Sequence, residues 1–147
     1  MLYRGALLAV LLAGCGGSED PLPVACRADG DTYERALQAA PDVVRLEGTT
    51  LAQCIRESSS DAELVAIGAT LTTLGEQLEL RAAEGDRRAA VQLGYLVGAA
   101  ERAARDTSGI HTELAYRLER SAAAVTEAPG GVETDLRRGI AAGSASG

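Results

Sequence analysis

Between Ser60 and Gly85 the residues Leu64, Ile67, Leu71, Leu74 and Leu78 recur at intervals of three and four. That spacing lays one apolar stripe along a helix and does not suit a strand, whose buried face recurs at every second residue. A helix of this kind must bury its stripe against elements of similar length, and the chain supplies two more. One has Val91, Tyr95, Gly98 and Arg102 along one face and reaches to about Asp106; the other carries Ile110, Leu114, Leu118, Ala122 and Val125 and ends before Pro129-Gly130-Gly131. Only Gly85-Asp86 and Thr107-Ser108-Gly109 separate the three, and such short breaks favour antiparallel neighbours. The expected fold class is therefore mainly α: an antiparallel helical bundle with three main helices running up, down and up.

Start signals agree with this order. Ser60-x-x-Glu63 reads as a capping box, and Asp86 is placed to cap the helix that follows Gly85. Towards the N-terminus, Asp31 with Glu34 predicts a short helix over 32–40 stopped by Pro41, and Thr50-x-x-Gln53 caps another carrying Leu51, Cys54 and Ile55. Between them, 42–46 reads as extended or irregular. Val132, Leu136 and Ile140 predict a short terminal helix over 132–142, and 143–147 reads as a disordered, frayed tail.

The N-terminus carries an address. Arg4 precedes the eight apolar residues of 6–13, whereas a bilayer span needs about 20; a basic start, a short apolar run and small residues read as an export signal. Leu12-Ala13-Gly14-Cys15 resembles the lipobox of bacterial lipoproteins, and the resemblance covers this segment alone. It implies a diacylglyceryl group on the Cys15 thiol, cleavage of 1–14 as a lipoprotein signal peptide, and a chain anchored to the cell envelope membrane. The competing reading is an ordinary secretory peptide cut near Gly14 or Gly17. Gly16 and Gly17 lack the aspartate that retains such proteins at an inner membrane in proteobacteria, so the resemblance implies an outer membrane where the source has one. Residues 15–25, rich in small, acidic and proline residues, read as a lipidated tether, and 26–142 as a single helical domain.

Losing the first 14 of 147 residues leaves 133, one domain by length. All 14 basic residues are arginines against 21 acidic ones, and without Arg4 the formal charge moves from −7 to −8. That balance argues against nucleic acid and anionic headgroups as partners, both of which call for clustered positive charge. The lack of Trp and Phe argues against stacking platforms for sugars or single strands. With Cys15 acylated, Cys26 and Cys54 remain as a pair in an oxidising compartment; a structural disulfide stapling the N-terminal helical lobe is the simplest reading, and free thiols are the alternative. Their spacing fits neither a C-x-x-C redox motif nor a zinc site.

Chemistry-bearing residues are few. Gly94 and Gly98 each cost their helix about 1 kcal/mol relative to alanine, and a hairpin at 85 sets Gly75 opposite Gly94 and Tyr95. The Tyr95 ring filling a close helix seam is one explanation; a cavity for a small apolar ligand, lined by Leu71, Gly75, Gly94 and Gly98, is the other. His111 is the only histidine, read as a capping or polar surface group, with a partner or ligand contact and a hydrolase centre as rivals; no nucleophile motif accompanies it. Asp29-Gly30-Asp31 opens like a calcium loop, but Tyr33 and Ala40 occupy its fifth and twelfth positions. No metal and no cofactor is expected. The function implied is that of a lipid-anchored, non-enzymatic helical module presenting its surface to an envelope protein partner; the alternative is a carrier of a small apolar ligand in the seam between the two central helices.

Overall fold

Helix starts in this chain are set by short polar side chains that take up otherwise unpaired backbone N–H groups. The computed structural model describes residues 21–105, 107 and 109–147; the expected signal peptide 1–14, the expected lipidation site Cys15 and the expected tether as far as residue 20 lie outside them. After a 3-10 turn at Val24–Arg27 come α1 (Gly30–Leu37), β1 (Arg45–Leu46), β2 (Thr49–Thr50), α2 (Leu51–Glu57), α3 (Asp61–Ala83), α4 (Arg87–Ala104), α5 (Ile110–Ala124) and α6 (Val132–Ser146). The protein is mainly α.

Several starts fall where the sequence sets them. Thr50 and Gln53 form a reciprocal capping box on α2, and Asp86 accepts from the N–H groups of Arg88 and Ala89 at 3.0 Å each. Two differ. The cap of α1 is Asp29 rather than Asp31, accepting from the Thr32 N–H at 2.8 Å, and the helix ends at Leu37 instead of 40. Ser60 caps α3, but Glu63 completes no box, because its carboxylate accepts from Arg27 at 3.1 Å. Glu47 and Gly48, both with positive φ, form a two-residue turn that pairs β1 with β2 antiparallel, the backbone such hairpins favour.

Cys26 and Cys54 are disulfide-bonded and buried, tying the 3-10 turn to α2. The Tyr33 hydroxyl donates to the Cys26 carbonyl at 2.8 Å, and burial pushes its phenol well above the usual tyrosine range. Leu22, within the stretch expected to form the end of the tether, is also buried.

At the centre lies α4, whose residues Ala89–Ala100 are all buried. Its neighbours include α3, α5 and, most extensively, α6. The α4–α6 pair is parallel: a Cβ built on Gly94 would meet the Leu136 oxygen and the Ile140 nitrogen, and one on Gly98 the Ile140 oxygen and the Ser144 nitrogen. The relation is mutual. A Cβ on Gly139 would collide with the Val91 oxygen, and one on Gly143 with the Tyr95 oxygen. Backbone therefore rests on backbone over two helical turns. Polar contacts hold both ends: Arg87 pairs with Asp135, and Arg102 donates to the Ser144 and Ala145 carbonyls at 3.0 Å each.

The predicted short terminal helix is thus a full member of the core, and 143–147 are no frayed tail; Gly143 and Gly147 are buried against α4. Gly139→Ala should lower stability by about 3 kcal/mol, the upper end of overpacking costs, since a backbone cannot rotate out of the way; denaturant unfolding followed by circular dichroism measures it. At Asp86 the backbone N–H of Ala89, with Arg81 beside it, holds the carboxyl below its usual value of 3.8. Its contribution is then complete above that value and is lost as pH falls through the lower native one. The stability gap between wild type and Asp86→Ala should accordingly shrink between about pH 5 and pH 2, as read from unfolding midpoints.

Candidate functional site

The residues first singled out as a seam do not enclose a ligand site. Gly94 and Gly98 face α6, not α3, and the backbone of α6 occupies the space their missing side chains leave. Gly75 instead receives Leu118 of α5, whose Cδ2 would lie 2.7 Å from an added Cβ, with Leu93 of α4 next nearest. Leu71 is fully buried. Tyr95 does not fill the notch at Gly75; its hydroxyl accepts from the Val44 N–H at 3.0 Å and lies 3.5 Å from the Ser146 hydroxyl. A cavity lined by Leu71, Gly75, Gly94 and Gly98 therefore has no room to exist. The physical reason is register: the small face of α4 is taken by the glycines of α6, which the hairpin geometry around residue 85 does not reveal.

Open apolar space lies elsewhere. α3 and α5 are neighbours running in the same direction, and between their N-terminal halves lies a groove of about 250 Å³ that Ile55 of α2 also lines. Val65, Gly68 and Thr72 line it from α3; Ile110, His111 and Leu114 line it from α5. Val65 is 62% exposed and Ile110 42%, both large apolar side chains at the rim. Glu113 and Arg117, which also line the groove, pair with each other at 2.8 Å one turn apart, so the rim presents no unbalanced charge from that pair.

Gly68 is what opens the groove. A glycine inside a helix costs about 1 kcal/mol relative to alanine. Gly75, Gly94, Gly98, Gly139 and Gly143 each offset that cost with a neighbour in the space a side chain would take. Gly68, in the interior of α3, has nothing within 4 Å of an added Cβ. The cost argument that singled out Gly94 and Gly98 in the sequence applies equally to Gly68, whose neighbours Ile67 and Ala69 give no other hint.

His111 sits at the base of the groove, buried rather than on the surface. Its Nε2 lies 2.9 Å from the Ile55 carbonyl oxygen, which can only accept, so Nε2 carries the proton and donates. That carbonyl belongs to the last turn of α2, where backbone oxygens lack partners within the helix. The ring's work is to close one helix from another, and no carboxylate or hydroxyl pairs with it among the described residues. Near the N-terminus Asp29, the first residue of the calcium-like stretch, spends its carboxylate on the Thr32 N–H.

No family model matches the chain, and neither the curated proteins nor the solved structures include a match. No helix among the described residues is long and apolar enough to cross a membrane. His111→Ala should cost about 1–3 kcal/mol by leaving a buried carbonyl unpaired. His111→Gln, which keeps a donor, should recover part of it; equal losses from both in thermal melts would remove the capping role.

Proposed function

We propose that the chain is a lipid-anchored, non-enzymatic binding module of the cell envelope, held by a diacylglyceryl group on Cys15, and that the α3–α5 groove is where it takes up an apolar side chain of an envelope protein partner. The observation that carries the groove is Gly68, a helix-interior glycine with nothing packed over it, beside the exposed Val65 and Ile110. Burying apolar area in such a groove contributes about 25 cal/mol per Å², enough for one or two side chains to anchor an interface whose rim supplies orientation. The anchor is supported by the lipobox-like Leu12-Ala13-Gly14-Cys15, and the absence of clustered positive charge directs the module towards protein rather than nucleic acid.

Gly68→Leu fills the groove without disturbing the fold, because its side chain enters open space and improves helix propensity. The variant should melt at or above the wild-type temperature and bind the apolar dye N-phenyl-1-naphthylamine about tenfold more weakly, equivalent to ~1.4 kcal/mol. Equal dye binding by both proteins overturns the groove as the site. For the anchor, the intact mass of membrane-extracted protein should correspond to a diacylglyceryl adduct on a chain starting at Cys15, and an unmodified mass overturns that half.

A further inference from the structure

The groove lies next to the place where the chain enters the fold. Leu22 is buried, and with Ala62, Ala66 and Ile67 it lines a cleft on the flank of the first three turns of α3. Ile67 also lines the α3–α5 groove, so chain entry and groove are separated by the width of one helix, about 10 Å. Six residues lie between Cys15 and Leu22, seven steps with a reach of up to about 24 Å when extended.

We infer that, while the anchor is outside a bilayer, one acyl chain carried by Cys15 lies in the α3–α5 groove, so that the binding surface is uncovered when the anchor enters a membrane. This rests on the proposed lipidation and on the groove as binding site. The fit is chemical and geometric. From Val65 to Thr72 the α3 wall runs for about 10 Å, room for part of the hydrocarbon, and it is low because Gly68 and Ala69 stand there. A flexible, unbranched hydrocarbon needs no hydrogen-bond partners, which suits a groove whose charged pair, Glu113 with Arg117 on α5, is already satisfied internally. Tethering places the acyl chain at an effective concentration in the millimolar range, far above that of a free lipid in water. Once a bilayer is present, the larger apolar phase wins the acyl chains, and the groove is released to a partner.

The test uses the full lipidated chain with a benzophenone amino acid replacing Val65, its acylation first confirmed by intact mass. Illuminated after detergent removal, this protein should yield a peptide containing position 65 joined to the acyl group of the Cys15 lipopeptide. The same probe replacing Tyr116, exposed on α5 and outside the groove lining, should not. Adding Gly68→Leu, or adding phosphatidylethanolamine vesicles, should lower the yield about tenfold. Equal capture at 65 and 116, capture of a second copy or of free phospholipid at 65, or a yield that vesicles leave unchanged overturns the inference. A mass without an adduct overturns it through the anchor. Dye binding by the unlipidated Cys15→Ser chain separates the two levels: if that chain binds dye and the cross-link still fails, the groove stands as a binding site and the acyl chain is not its occupant.

Discussion

The contact of α4 with α6 is the one on which the remaining packing depends. Gly94, Gly98, Gly139 and Gly143 bring two backbones together where any Cβ would collide with a peptide group. At such a distance, dispersion and Cα–H···O contacts act over the whole interface at once. The two helices are parallel, so their dipoles repel along the entire contact. Salt bridging at one end and guanidinium-to-carbonyl donation at the other, through Arg87–Asp135 and Arg102 with Ser144, oppose that repulsion where the partial charges sit. With α6 covering one face, α4 is free to be apolar or small on every side. It can then serve as the post against which α1, α2, α3 and α5 are placed.

Polar groups on α4 reach outward from this post to close other elements. Gln92 donates to the Leu37 carbonyl and Arg88 to that of Gln38, satisfying the end of α1, while Tyr95 receives the Val44 N–H before the hairpin. The Cys26–Cys54 bond and the His111–Ile55 hydrogen bond do the same work for α2 from two other directions. The N-terminal lobe is therefore fixed mainly by what other elements lend to its short helices, neither of which would persist alone at seven or eight residues.

Helix order, the disulfide and the starts at Thr50 and Asp86 were legible in the sequence because each rests on a local rule: periodicity, pairing of the remaining thiols, or a side chain capping its own helix. Partner choice was not. The spacing of Gly94 and Gly98 announces a close approach without saying to what; of the matching pair, Gly139 stands in what reads as a short terminal helix and Gly143 in what reads as a frayed tail. Competition misled the caps as well: Asp29 and Asp31 are chemically equivalent candidates, and Glu63 had a remote arginine to choose over its own helix start. His111 looked like a surface group because its helix position is terminal. Its burial comes from α2, which no local pattern relates to residue 111.

Gly68 shows what separates a structural glycine from a functional candidate in the folded chain. Both kinds carry the same propensity cost and look alike in the sequence. The difference is whether anything in the fold occupies the vacated volume. Where a backbone does, as at Gly94, the cost is already offset by packing and no ligand is needed to explain it. Where nothing does, as at Gly68, substitution by alanine is unopposed within the fold, and the glycine is a candidate for a contact from outside the domain. On the proposed function that contact is an apolar side chain of a partner; on the further inference it is the hydrocarbon of the proposed anchor, because Ile67 lines both the groove and the cleft that receives Leu22.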